Sequence, residues 1–377
     1  VSSLGFSLVK EDKETKARIG RLKLFHGEVE TPVFMPVGSR GPVKTLTPDE
    51  LGQIGVEMVL SNAYHLFLKP GPELIEKAGG LHNFLNWPKP ILTDSGGYQV
   101  FSLNRLTKIT DEGAEFRSIF NGALHFFSPE KSIEVQEALG ADVIMVLDQC
   151  PPYQADREVW REATERSLRW AMRCKKAHNR EEQLLFGIVQ GGMDKNLRRR
   201  SAEGTVAVGF DGYALGGLSV GEPRELTLEI TDLTTDLLPP NRPRYLMGLG
   251  DPSGLIEAVA LGVDMFDSVL PTRIARGGTV FTSNGKLSIR NAQFKEDLKP
   301  LDPACPCYTC QNFSRAYLRH MFLSEEMLAL RLFTLHNLYF VISLLEKVKS
   351  SIKAGKFTQF KEDFLNNYPK LFAQSTR

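Results

Sequence analysis

Three aspartates, a glutamine and two glycine pairs stand at positions where this chain could do chemistry: Asp94 in Asp94-Ser-Gly-Gly-Tyr-Gln99, Asp148, Gln190, the pair Gly216-Gly217, and Asp267 in Asp264-Met-Phe-Asp267. Two opposed carboxylates can run a double displacement at a sugar C1′. One attacks to form a glycosyl-enzyme and the other handles the leaving group's proton. A third carboxylate beside an amide suits a guanine edge: Asp148 would accept from N1–H and the 2-amino group, while Gln190 and a backbone N–H donate to O6. The glycines after Asp94 let backbone amides approach a ligand closely. Any one of these aspartates alone reads more readily as a strand-end cap or an ion-pair partner. Their joint position argues for chemistry.

That position follows from eight short apolar runs, Thr31-PVFMPVG, Val56-EMVLSN, Pro90-ILTDSGG, Ala141-DVIMVLDQ, Leu184-LFGIVQGG, Gly212-YALGG, Arg244-YLMGLG and Val263-DMFDSVLP, with helical patterns between most of them. Runs of Val, Ile, Leu and Met without strict alternation fit strands buried on both faces. Eight such units predict a (β/α)₈ TIM barrel, whose active site lies at the C-terminal ends of the strands, where Asp94, Asp148, Gln190, Gly217, Gly250 and Asp267 fall. Thr47-Pro, Ser128-Pro and Asp251-Pro read as N-cap followed by N1 of a helix. Asn121-Gly122 and Asn284-Gly285 read as turns of hairpins inserted after the third and eighth strands. Residues 1–30 read as a capping hairpin, so 1–291 form the barrel and 292–377 a zinc-binding, helical C-terminal portion packed on it, with long helices from about 311 to 354.

At 377 residues and 42% hydrophobic, the chain can bury a large core within one barrel plus additions. No signal-peptide pattern and no run of about 18 uncharged apolar residues stands out, so the expectation is a cytoplasmic protein with no membrane partner. The net charge of +1 means that any polyanion must be met by local positive charge. Three of the five cysteines crowd into Cys305-Pro-Cys307-Tyr-Thr-Cys310, and His336 follows. Four such ligands suit tetrahedral Zn²⁺ with no position open for water, hence a structural ion.

At these residues the chain resembles the tRNA-guanine transglycosylase family, the queuine tRNA-ribosyltransferases, and most closely their bacterial type. TDSGGYQVFS, LDQC, IVQGG, ALGGLSVGE, RYLMGLG, DMFDSVLPTR and CxCxxC…H occur in the family's order over nearly the whole length. The resemblance implies a (β/α)₈ barrel with one structural zinc per subunit on Cys305, Cys307, Cys310 and His336. It implies a pentosyltransferase that replaces guanine 34 of GUN-anticodon tRNAs (Asp, Asn, His, Tyr) through a covalent enzyme–tRNA intermediate. Asp267 would be the nucleophile on C1′ and Asp94 the general acid/base. Asp148, Gln190 and Gly217 would hold the base's edges, Tyr98 and Met247 its faces, with Ser95, Gly96 and Gly97 in the same wrapping loop and the Leu218 carbonyl, with Glu222 nearby, taking an ammonium. Two segments would touch the anticodon loop: Gly248, Leu249, Gly250, Asp251, Pro252, Ser253 and Gly254, and Thr272, Arg273, Ile274, Ala275 and Arg276. Arg198-Arg199-Arg200 reads as a solvated helix face.

Val220 and Cys150 reduce the room beside a 7-substituent, which favours the aminomethyl base preQ1 (7-aminomethyl-7-deazaguanine) over queuine. Gln149 stands where many bacterial members carry an acidic residue. The resemblance implies a homodimer. Readings from other classes are a barrel hydrolase of N-glycosidic bonds, and a non-catalytic tRNA-binding subunit, which need not preserve both Asp94 and Asp267.

Overall fold

Strands with no polar face can lie only in a sheet covered on both sides. The computed structural model, which describes residues 4–103 and 107–368, meets that condition with a closed barrel. The chain begins with an antiparallel sheet, β1 (Gly5–Glu11), β2 (Arg18–Leu24) and β3 (Gly27–Thr31). Three strands therefore stand where the sequence predicts a two-stranded hairpin. The reason is that β2 is buried and pairs on both edges, while β1 is largely exposed, Leu8 and Val9 included, and so shows no alternation between a buried and a solvent face.

Barrel strands β4 (Val33–Gly38), β5 (Val59–Asn62) and β6 (Ile91–Asp94) follow. A small antiparallel sheet, β7 (Lys108–Ile109), β8 (Ala114–Arg117) and β9 (Leu124–Phe127), is inserted next. Then come β10 (Val143–Met145), β11 (Leu184–Val189), β12 (Gly212–Leu215), β13 (Arg244–Leu246) and β14 (Met265–Ser268). Each of the eight apolar runs contains one barrel strand. All neighbours pair parallel, and β14 closes on β4 with Asp267 opposite Met35.

The Ser-Pro, Thr-Pro and Asp-Pro starts are real caps. Thr47 and Glu50 form a capping box on the helix Pro48–Gln53, Ser128 accepts from Lys131 N–H on Pro129–Leu139, and Asp251 accepts from Gly254 N–H on Pro252–Ala260. Gly122, at φ +71°, turns the β8–β9 hairpin. In the hairpin β15 (Thr279–Thr282) and β16 (Gly285–Ser288) the turn is Ser283-Asn284, one residue earlier than the sequence predicts. Asp302 accepts from Ser283 N–H and Oγ, and Thr282 Oγ1 accepts from Asn284 N–H, which holds the turn there.

The C-terminal portion contains helices Tyr308–Asn312, Arg315–Leu323, Met327–Ala354 and Phe357–Asn367. Met327–Ala354 is long and apolar enough to cross a bilayer by composition, but 67% of its most apolar window is buried inside the protein, as in a core helix.

The two ends of the barrel treat carboxylates differently. At the N-terminal end, Asp264 takes Arg18 Nε and Nη2 at 2.9 and 2.6 Å and Arg244 N–H at 2.7 Å. Asp142 takes the backbone and Nδ1 of His26, His82 Nε2 and Ile91 N–H, all within 3.0 Å. Burial works against the Asp142 charge, yet these bonds hold its carboxyl below the usual range. That end is saturated and seals the N-terminal sheet to the barrel.

Candidate active site

At the opposite end burial outweighs the donors that the carboxylates find. Asp94, the last residue of β6, accepts from Asn62 Nδ2 at 2.5 Å and from Ala63 N–H at 3.1 Å. Burial lifts it to about 7, with the Asp267 charge adding to the rise. Asp267, on β14, accepts from Tyr245 hydroxyl at 2.6 Å and Gly248 N–H at 2.9 Å. Both bonds fall on Oδ1, and among the described residues no hydrogen bond reaches Oδ2. Burial raises this carboxyl as well, and it raises the Tyr245 phenol well above its usual range, so Tyr245 stays the donor. Asp148 follows β10 and accepts from Gln190 Nε2 at 2.5 Å; burial lifts it to about 6.

These groups line one cavity of about 370 Å³, together with Ser95, Gly96, Gly97, Tyr98, Cys150, Gly216, Gly217, Leu218, Val220, Tyr245, Met247 and Gly248. The volume suits a single purine-sized base with part of its sugar. Tyr98 is 50% exposed at its wall, too open for a core residue, and Met247 is partly buried. Glycine is required at two places. A Cβ on Gly97 would stand 2.6 Å from Asp148 O, and one on Gly217, at φ +66°, 2.6 Å from Gln190 Oε1. The cavity thus exists because side chains are missing where its walls meet.

The structure brings Asp94, Asp148, Gln190, Gly217 and Asp267 together, and it sorts the remaining predicted residues by access. Gly248 and Arg273 are exposed and line or border the mouth, while Leu249, Ile274 and Arg276 are half-buried. Gly250, Pro252, Ser253, Gly254, Thr272 and Ala275 are buried. Asp251 is likewise committed to its helix cap and to an ion pair with Arg224. These residues start or pack two helices, Pro252–Ala260 and Leu270–Arg276, and that packing carries Gly248 and Arg273 at the mouth.

Three further residues have definite places. Glu222 is not on the cavity wall: its carboxylate accepts from Ser219 N–H at 2.5 Å, Val220 N–H at 2.9 Å and Thr227 Oγ1 at 2.6 Å, so it shapes the Leu218–Val220 loop. Gln149 turns outward, accepting from Arg166 at 2.6 Å. Arg198 is not on a solvated face but fully buried, unlike Arg199 and Arg200. Sequence reasoning also passes over Asn62, His65 and Tyr245, all on the cavity wall. Asn62 had a signal, as the polar residue ending the second apolar run; Tyr245, inside a run, had none.

Away from the cavity, Cys305, Cys307, Cys310 and His336 converge, with their ligand atoms within 4.8 Å of one another. The three sulfurs lie 3.8, 3.3 and 3.3 Å from His336 Nδ1. Zn–S and Zn–N bonds of about 2.3 and 2.0 Å give a tetrahedral S···N edge of about 3.5 Å. The donor set therefore fits a metal ion. His336 Nε2 donates to Phe281 O at 2.6 Å, which leaves Nδ1 as the ligand nitrogen.

The chain matches the family model described as queuine tRNA-ribosyltransferase over residues 12–370. It is 58% identical over 369 residues to the queuine tRNA-ribosyltransferase of Caldanaerobacter subterraneus subsp. tengcongensis, covering 98% of each chain. The protein of that name from Halothermothrix orenii is 56% identical over 366 residues, 97% of this chain and 98% of the relative. That from Moorella thermoacetica is 53% identical over 363 residues, 96% and 97% of the two chains.

Proposed function

The chain belongs to the queuine tRNA-ribosyltransferase family, as a tRNA-guanine transglycosylase of the bacterial type, and from that premise we propose that it replaces guanine 34 of GUN-anticodon tRNAs with preQ1 through a covalent enzyme–tRNA intermediate. The observation that carries this reading is the division of labour on Asp267. Tyr245 and Gly248 hold Oδ1, which leaves Oδ2 for the sugar in the same cavity as Asp94.

Asp267 Oδ2 attacks C1′ of nucleotide 34 as the C1′–N9 bond breaks, and Asp94 gives its proton to the departing guanine. The incoming base then loses its N9 proton to Asp94 and attacks C1′, and the C1′–Oδ2 bond breaks. Two inversions retain the β configuration. A carboxyl at about 7 is suited to both proton transfers at neutral pH. Asp148 accepts from N1–H and the 2-amino group, Gln190 and Gly217 N–H donate to O6, and Tyr98 and Met247 cover the faces. Ser95, Gly96 and Gly97 wall the base, and the Leu218 carbonyl takes the aminomethyl ammonium, with Glu222 setting that loop. Val220 and Cys150 leave room for preQ1 rather than queuine. Gly248, Arg273 and Arg276 meet the anticodon loop.

Zinc on Cys305, Cys307, Cys310 and His336 would be structural, one per subunit, because four protein donors fill its coordination and the cluster lies apart from the cavity. It would pin the segment of short helices to Met327–Ala354. The enzyme is read as a cytoplasmic homodimer. Incubation with unmodified GUN-anticodon tRNA and labelled guanine or preQ1 tests the whole reading: base should enter tRNA at position 34, and a denaturation-resistant adduct should disappear in Asp267→Asn. Release of guanine with no base entering would mean hydrolysis instead, and a persistent adduct in Asp267→Asn would remove the nucleophile.

A further inference from the structure

Arg198 lies on the inner side of the helix Lys195–Val208, with 0% of its surface exposed. Among the described residues it has no carboxylate partner within ion-pair distance. It donates instead to three carbonyls: Nε to Gly192 O at 2.8 Å, Nη1 to Val189 O at 3.0 Å and Nη2 to Gly217 O at 3.5 Å. Burial pulls the guanidinium down to about 10, still a cation at neutral pH, and the ionisable groups whose fields reach it are Cys150 and Glu222. Burying a guanidinium without an anion is costly, and an apolar side chain would fill the space at less expense.

The three carbonyls show what the cost maintains. Val189 precedes Gln190, and its carbonyl also accepts from Gly216 N–H at 3.0 Å. Gly192 closes the turn after Gln190, and Gly217 carries the backbone donor of the neighbouring strand end. One planar fork therefore fastens the ends of β11 and β12 to each other, on either side of the place where Gln190 and Gly217 point into the cavity.

We propose that Arg198 is a positioning residue for base recognition: it holds Gln190 and Gly217 so that their N–H groups converge on a purine O6, and it sets a fixed positive charge behind them. Negative charge that gathers on O6 as guanine leaves C1′ is met by donors already aligned and backed by a cation, a preorganised arrangement that needs no movement during reaction. The proposal rests on the reading that O6 lies against Gln190 and Gly217.

The test compares guanine with 6-thioguanine, whose sulfur is a poor acceptor at the same position, as competing bases for one tRNA. Wild type should prefer guanine. In Arg198→Gln, folded by thermal scan, that preference should fall by about tenfold while the KM for tRNA stays within about twofold. Arg198→Lys, which keeps the charge but not the fork, should lie between. A general loosening of the fold would lower the use of both bases equally and leave the preference unchanged, and that result overturns the proposal. Should Arg198→Gln not fold, a wild-type preference in Arg198→Lys overturns it. A wild type that exchanges guanine but does not discriminate against 6-thioguanine would instead refute the assumed base orientation.

Discussion

Replacing Asp94 by Asn should make the protein more stable in base and less stable in acid. Burial, with the charge of Asp267, lifts the Asp94 carboxyl from 3.8 to about 7. A group whose pKa is raised by folding contributes stability that is fully present below the unfolded value and is lost as the pH rises through the folded one. The ionised Asp94 therefore weakens the fold above pH 7 by up to about 4 kcal/mol, a rise of about three pH units at about 1.4 kcal/mol each. Asparagine can still accept from Ala63 N–H through its oxygen, but it cannot also satisfy Asn62 Nδ2 as the carboxylate does, a loss of about 1 kcal/mol. The variant should thus gain about 3 kcal/mol at pH 8 to 9 and lose about 1 kcal/mol near pH 4. Urea unfolding of both proteins across that range, at unchanged m-value, measures the difference. A stability gap of one sign and size at every pH would show that Asp94 is not held protonated by its surroundings, and the argument for it as the acid/base would fall with that result. Base exchange by the variant should be lost at every pH.

Tyr245→Phe removes one of the two donors on Asp267 Oδ1, a charge-assisted bond worth about 1.5 to 3 kcal/mol, so the acid limb of the pH–rate profile should move up by about one to two pH units, and an unmoved limb would deny Tyr245 this role. Cys307→Ala should lower bound zinc and thermal stability together, read by metal analysis and calorimetry; full metal content in the variant would take Cys307 out of the ligand set. Wild type should use preQ1 about five to a hundred times better than queuine, because overpacking a fitted pocket costs about 1 to 3 kcal/mol. Val220→Gly should narrow that gap in a two-base competition, and equal use of queuine by the wild type would refute the pocket reading.

The order of the barrel and the residues at its rim were legible in the sequence because they depend on local features. Short apolar runs without alternation, bounded by glycine and polar residues, fit buried strands, and what ends each run then falls at one rim, which gathers Asp94, Asp148, Gln190 and Asp267 from the sequence alone. Cysteine spacing and the Thr-Pro, Ser-Pro and Asp-Pro caps are equally local. What the tertiary structure decided was environment, which depends on neighbours distant in sequence. Asp142 and Asp148 stand six positions apart on the same strand path. One is saturated by His26, His82 and Ile91 and held ionised, while the other is left with Gln190 and lifted to about 6. Arg198 and Arg199 are adjacent, yet helical rotation puts the first under the base cavity and the second in water. Tyr245 and Asn62 became part of the site only when β13 met β14 and β5 met β6. Residue type and spacing determine which groups reach the rim; solvation, hydrogen-bond supply and the facing strand determine what charge each carries there, and those exist only once the barrel has closed.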